Sequence, residues 1–268
     1  MIETDPSNLL RVAETAAERA GRRIASIFHH GNLKVRRKYD YAGSIVTNAD
    51  IESEKLILAE IRASGIRSMV VSEEGGKINY GDRRVIWAVD PLDGTLNFAK
   101  RIPHFAVSIG ALLDGRTVAG AIYDPVLDEM FSARRGGGSH MNRRKIRVSQ
   151  ATALRNAAII FEWWDKEPSI LDPLGLEKRL YRYTSSLRSP GSIALNLCSV
   201  ASGRFDGLIT VYLRSPIYET TAGAIIVEEA GGRVTNSLGD SWEGLSRSII
   251  AAGPKLQQRL LSFVQQNR

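Results

Sequence analysis

The chain of 268 residues has one cysteine, Cys198. An intramolecular disulfide and a cysteine-rich zinc site are therefore excluded. Cys198 lies in an apolar stretch, where a buried, inert thiol is the expectation. No apolar run approaches the roughly 20 residues of a membrane span. The opening segment MIETDPSNLL lacks the basic and apolar regions of a secretory signal. Internal repeats and low-complexity segments are missing, as are nucleic-acid motifs and any interleaving of basic with aromatic residues. The net charge of +7 comes from scattered clusters such as Arg36–Lys38, Arg83–Arg84 and Arg143–Arg147. It reads as a solvated basic surface that draws in small anionic substrates. These absences lead to the expectation of a cytoplasmic enzyme with no membrane and no nucleic-acid partner.

What is present is ordinary in bulk, with 43% hydrophobic and 24% charged residues. The length allows one large domain or two halves sharing a sheet system. The stretch Val85–Phe98, VIWAVDPLDGTLNF, is the most informative. Its apolar first half predicts a buried strand ending at Asp90, with Pro91 as the stop. Asp90 and Asp93 then stand at the strand's end, followed by Gly94 and Thr95 at the start of a short helix. Carboxylate oxygens suit hard cations such as Mg²⁺, and backbone N–H groups at a helix start suit a phosphate. An Asx-type turn joining strand to helix is the plainer reading. A second strand, Met69–Ser72, ends in Glu73-Glu74-Gly75-Gly76. If the two strands are neighbours, Glu73, Asp90 and Asp93 converge at one sheet edge.

Along the rest of the chain, helical spacing predicts a helix over 7–30 with Ser7 as cap, then a basic arm or loop over 33–41. Thr47 and Asp50 fit a capping pair for a helix over 51–63. Short strands follow over 105–113, 117–123 and 129–134, the cadence of an antiparallel sheet. The glycines 136–138 lack the phosphate-loop pattern and read as a turn. An exposed strand over 142–150 closes the first half, with the boundary near 150: residues 1–150 carry most candidate ligands, and 151–268 close over them. In the second half the pattern gives strands over 156–161, 183–187, 206–213 and 248–252. Helices are expected over 175–181, 192–201, 219–230 and 254–265. Gly191-Ser192 at one helix start is a second potential anion contact, although an ordinary cap explains it locally.

Five segments in order, T-N-A-D (47–50), V-S-E-E-G-G (71–76), W-A-V-D-P-L-D-G-T-L-N-F (87–98), P-H-F-A-V-S-I-G (103–110) and T-A-G-A-I-I-V-E-E-A-G-G (221–232), resemble the inositol monophosphatase family across most of the chain. That resemblance implies a mixed α+β, α/β fold, an αβαβα layered sandwich with the active site where the halves meet. It implies Mg²⁺-dependent hydrolysis of small sugar or polyol phosphates by an activated water, with two or three Mg²⁺ ions and Mn²⁺ as a substitute. Matched residue by residue, Glu73, Asp90, the Leu92 carbonyl and Asp93 correspond to metal ligands. Gly94 and Thr95 correspond to phosphate-binding amides, with Asp93 beside the substrate as well. Asp50 and Thr95 correspond to the pair that orients the attacking water, and Gly191 and Ser192 to positions beside the substrate. A homodimer is the family's common state.

The chain also departs from the family pattern. Where an aspartate ligand is expected, it has Glu219, preceded by Tyr218 in place of tryptophan. The segment Tyr212-Leu213-Arg214 resembles archaeal members with fructose-1,6-bisphosphatase as well as inositol monophosphatase activity, so that Arg214 is expected to meet a second phosphate. This leaves two alternatives. One is a phosphatase of 3′-phosphoadenosine phosphate or NADP. The other is a catalytically weak member kept for binding or regulation, because Glu219 disturbs the second metal position.

Overall fold

The computed structural model describes residues 4–38, 45–163, 172–211, 216–242 and 246–266. Two sheets organise them. The larger has eight strands: β3 (Met69–Ser72), β4 (Gly76–Asn79), β5 (Val85–Asp93), β6 (Ala106–Leu113), β7 (Arg116–Asp124), β8 (Glu129–Arg134), β9 (Gly138–Met141) and β10 (Arg144–Lys145), in the order β10-β9-β8-β7-β6-β5-β3-β4. The smaller has five: β11 (Ala158–Trp163), β12 (Ser186–Arg188), β13 (Gly207–Val211), β14 (Arg233–Thr235) and β15 (Ser248–Ala252), in the order β12-β11-β13-β15-β14. A two-stranded arm, β1 (Val35–Arg37) with β2 (Ile45–Thr47), precedes them.

Helices α1 (Pro6–His30) and α2 (Asn48–Ala63) cover the outer face of the large sheet, and their apolar faces share a core with Trp87, Val89, Ile109 and Ala121. Helices α5 (Ile193–Ala201) and α6 (Pro216–Glu229) lie between the sheets, in a core that joins Ile122 and Phe131 to Leu208 and Ile249. Helices α4 (Pro173–Tyr183) and α7 (Pro254–Gln265) cover the outer face of the small sheet. The layering is the αβαβα sandwich. A five-residue helix, α3 (Thr95–Ala99), follows β5 directly. No described helix is long and apolar enough to cross a membrane.

Glycines set two close approaches around the strand ends. Helix α6 lies against β6 and β7 at Gly110 and Gly120. A Cβ on Gly110 would fall 2.5 Å from Thr221, and one on Gly120 2.8 Å from the Ala222 backbone, so the helix sits on bare sheet. Gly94 has φ +87, and a Cβ there would lie 2.9 Å from the His104 carbonyl. Glycine alone accepts both conditions easily.

Several boundaries differ from the sequence expectations. Helix α1 begins at Pro6 and is capped by Asp5, whose Oδ1 accepts from the Ser7 and Asn8 N–H groups; proline at the first helical position has no N–H to leave unpaired. Strand β5 continues through Pro91 to Asp93, with its register to β6 shifting between Asp90 and Asp93. That irregularity accommodates a residue with no N–H to give the ladder. Helix α6 starts at Pro216 rather than Glu219, so Glu219 lies in its first turn. Helix α4 runs on to Tyr183 and the next strand starts only at Ser186. Of the strand expected over 142–150, only Arg144–Lys145 forms. The short strands β2, β4, β9 and β14 have no counterpart among the expectations.

Candidate active site

Strands β3 and β5 are parallel neighbours, with Ser72 opposite Val89. Glu73 therefore follows directly beside Asp90, and its N–H donates to the Val89 carbonyl at 3.1 Å. The two acid-bearing strands thus end side by side. At the bulge Asp90 folds back and its Oδ1 accepts from the Leu92 N–H at 3.0 Å. The start of α2 is fastened to the same bulge, where the Ser53 hydroxyl donates to the Pro91 carbonyl at 2.6 Å.

Asp50 is the third residue of α2, and it is buried. Its Oδ2 accepts from the Thr47 N–H at 2.8 Å and the Thr47 hydroxyl at 2.5 Å, the capping arrangement expected from sequence. Its Oδ1 faces the Thr95 hydroxyl at 3.0 Å, and that hydroxyl is also 2.9 Å from the Leu92 carbonyl. Cap and site are thus one residue: the side chain that closes the helix start also holds Thr95.

Asp93 lies across the gap between the two sheets. Its Oδ2 accepts from the Ser192 hydroxyl and from the Ala194 N–H, the latter at 2.9 Å. Ser192 caps α5, so the helix between the sheets begins on a carboxylate of the large sheet. Gly191, with φ +86, precedes it. Asn97 of α3 reaches the same turn, donating to the Pro190 carbonyl at 2.9 Å and the Gly191 carbonyl at 3.3 Å.

These acids repel one another in a buried setting. Burial pushes Asp90 well above the usual carboxylate range, and the charges of Glu73, Asp93 and Glu219 push it further. That effect of Glu219, from the first turn of α6, brings the fourth candidate ligand into the same field. Burial raises Asp93 to about 6 against the bonds from Ser192 and Ala194. Burial likewise raises Asp50 to about 7, against the Thr47 bonds and with help from Glu74 and Glu73.

Sequence reasoning passes over several residues. Lys38, at the end of the basic arm, donates to Glu73 Oε1 at 3.0 Å and to Glu74 Oε1 at 2.7 Å, and its side chain is only 13% exposed. Burial alone would lower its pKa; the Glu73 charge and the bonds to both glutamates raise it. Glu54, one turn after Asp50, accepts from the Ser72 hydroxyl and from the Gly75 N–H at 2.8 Å, fixing the turn that carries Glu73. Glu162, at the end of β11, accepts from the Gly191 N–H at 2.6 Å. Nothing local marks these three, because each acts through a contact distant in sequence. Arg214, with Tyr212 and Leu213, lies outside the described residues.

The donor set is all oxygen: four carboxylates and a backbone carbonyl, most of them buried. That chemistry fits a hard divalent cation, and such a cation would relieve the mutual repulsion. Among the described residues, no three His, Cys, Asp or Glu side chains are already set around a common point as they are around an ion. The cation that Glu73 and Glu74 hold is the Lys38 ammonium.

Comparison with known proteins finds likeness along nearly the whole chain. A model described as the inositol monophosphatase family matches residues 5–268. The chain is similar to the Nus factor SuhB of Vibrio cholerae, 35% identical over 266 residues that cover 97% of this chain and 96% of that protein. It is similar to the extragenic suppressor protein SuhB of Bartonella henselae, with a TM-score of 0.89 and 34% identity over 96% of this chain and 98% of that one. It is also similar to an inositol monophosphatase from Anabaena (Nostoc) sp., with a TM-score of 0.85 and 33% identity over 98% and 97% of the two chains.

Proposed function

We propose, for a chain that belongs to the inositol monophosphatase family, Mg²⁺-dependent hydrolysis of small sugar or polyol phosphate monoesters. The observation that carries this reading is the meeting of Glu73, Asp90 and Asp93 beside the Asp50–Thr95 pair. In this proposal Glu73, Asp90, the Leu92 carbonyl, Asp93 and Glu219 hold the cations. Bound there, Mg²⁺ would offset the charge of the ester, activate water and stabilise the departing alkoxide.

The protein's own groups do the rest. Thr95 gives its hydroxyl proton to Asp50 and keeps an oxygen lone pair to align a water for attack. Asp50, raised to about 7, is matched to take a proton near neutrality. As the water oxygen bonds to phosphorus its proton passes through the Thr95 hydroxyl to Asp50, the bond from phosphorus to the alcohol oxygen breaks, and the departing alkoxide takes a proton from solvent. The main-chain N–H groups of Gly94 and Thr95 hold the phosphate, and Gly191 and Ser192 border the alcohol portion. Direct transfer to water leaves no phosphoenzyme.

The names of the relatives support two readings. The Anabaena protein is called an inositol monophosphatase, whereas the Vibrio protein is called a Nus factor. We take the enzymatic reading because the buried acids are costly to keep without a charge to bind. The test is phosphate release from inositol-1-phosphate, fructose-1,6-bisphosphate, 3′-phosphoadenosine phosphate and NADP, with Mg²⁺. The proposal expects the sugar and polyol esters to be fastest. Release from the nucleotides alone would move the assignment to the nucleotide branch, and release from none of the four would leave the binding role.

A further inference from the structure

We propose that Glu162 is a positioning residue: by holding the turn at Gly191 it sets Ser192 and the start of α5, and through them the aim of Asp93. The inference rests on the reading of Asp93 as a cation ligand.

Glu162 is 2% exposed and stands in the small sheet. Its Oε1 accepts from the Gly191 N–H at 2.6 Å and from Asn196 Nδ2 at 2.7 Å. Among the described residues its Oε2 is buried with no hydrogen-bond partner. A buried carboxyl is costly to keep, and both hydrogen bonds that Glu162 makes among the described residues go to Oε1. Asn97, on the large-sheet side, donates to the carbonyls of the same turn. The turn is therefore held from both sheets, by its N–H from one and its carbonyls from the other. One and three residues further on, Ser192 and Ala194 donate to Asp93 Oδ2. Two donors on one oxygen fix the rotation of that carboxylate. Glu162 thus reaches Asp93 through a chain of two hydrogen-bonded links without touching it.

The grip depends on reach rather than charge. Burial raises Glu162 to about 7, with the nearby Asp93 charge adding to the rise and the bonds from Gly191 and Asn196 opposing it. A neutral carbonyl in the same place serves as well.

Glu162→Gln keeps the reach and loses the charge, while Glu162→Asp keeps the charge and loses the reach. Binding of Mn²⁺ to the substrate-free protein, read from the electron paramagnetic resonance of free Mn²⁺, separates them. Glu162→Gln is expected to bind Mn²⁺ within about threefold of the wild type, and Glu162→Asp to bind about 10-fold to 100-fold more weakly, the scale of lost outer support at metal sites. Thermal unfolding checks that each variant is folded. If Glu162→Asp fails to fold, Ser192→Ala cuts the same tie further along and is expected to weaken Mn²⁺ in the same way. The reverse order, Asp retained and Gln weakened, would mean that charge is what matters and would overturn the proposal. Unchanged binding in both variants would overturn it too. A wild type that binds Mn²⁺ but hydrolyses none of the esters removes the phosphatase reading and leaves this inference standing. A wild type that binds no Mn²⁺ removes both.

Discussion

Replacing Thr95 by alanine removes one hydroxyl and leaves the backbone N–H in place. That hydroxyl lies 3.0 Å from Asp50 Oδ1 and 2.9 Å from the Leu92 carbonyl, and it has a single proton to share between them. Asp50 is 1% exposed, so its Oδ1 loses a partner that water replaces poorly. The structural cost is about 1–3 kcal/mol, the range for a buried group left unsatisfied. For a chain of this size each kcal/mol lowers the melting temperature by about 2–4 °C. The catalytic cost is separate. Without the hydroxyl the water is neither aligned nor linked to Asp50, and kcat is expected to fall by about 10²-fold, which is about 2.7 kcal/mol. KM should hardly move, because the N–H remains. Thr95→Ser should restore most of kcat. Steady-state phosphate release at saturating Mg²⁺, with a thermal melt of each protein, measures both effects. A raised KM with intact kcat would show that the hydroxyl binds substrate and would refute the water-orienting role.

Glu219→Asp tests the departure from the family pattern. Glutamate places its carboxylate roughly 1.5 Å further from the backbone than aspartate does, and Mg²⁺ tolerates misplaced ligands poorly. The reading of a weakly held second ion expects half-saturation by Mg²⁺ in the millimolar range, lowered in Glu219→Asp. The start of α6 at Pro216 supplies the competing outcome, a helix set so that glutamate reaches normally. A loss of more than about tenfold in rate on substitution, about 1.4 kcal/mol, would establish that outcome. The pH dependence of stability gives a third test. Asp50 and Glu162 are raised to about 7 and Asp93 to about 6, above their unfolded values, so the folded protein binds the extra protons. Their contribution is complete below the unfolded values and is lost as pH climbs through 6 and 7. The metal-free protein should melt at lower temperature at pH 7.5 than at pH 5, and Mg²⁺ should shrink the difference. A melting temperature that rises over that interval without metal would contradict the assignment.

Much of the fold is legible in the sequence because its signals are local. The apolar spacing of α1 and the alternation of short strands and turns from β6 to β8 are carried by consecutive residues. The Thr47–Asp50 cap is likewise written within four residues. Pro91 misleads for a physical reason: the missing N–H does argue for a strand end, but a bulge at Asp90–Asp93 lets the strand pass through it. The start of α6 is misplaced from sequence because the acidic residue at 219 looks like a helix beginning, whereas Pro216 supplies it. Asp50, Glu73, Asp90, Asp93 and Thr95 are marked by motif, and the structure brings them together around the ends of β3 and β5. Lys38, Glu54 and Glu162 are not visible in this way, since their partners lie 35, 21 and 29 positions away.

The central claim is that a carboxylate cluster around Asp90 holds the cations that make phosphate transfer to water possible. The most direct measurement is the rate of phosphate release from inositol-1-phosphate by wild type and Asp90→Asn, each with saturating Mg²⁺ and with the metal chelated. Asp90 is buried, and the charges of Glu73, Asp93 and Glu219 act on it, so asparagine should relieve repulsion and leave the protein folded. The account predicts release by the wild type with Mg²⁺ only, and loss of nearly all turnover in folded Asp90→Asn. Turnover in Asp90→Asn equal to the wild type at saturating Mg²⁺, or wild-type turnover that survives chelation, would contradict it.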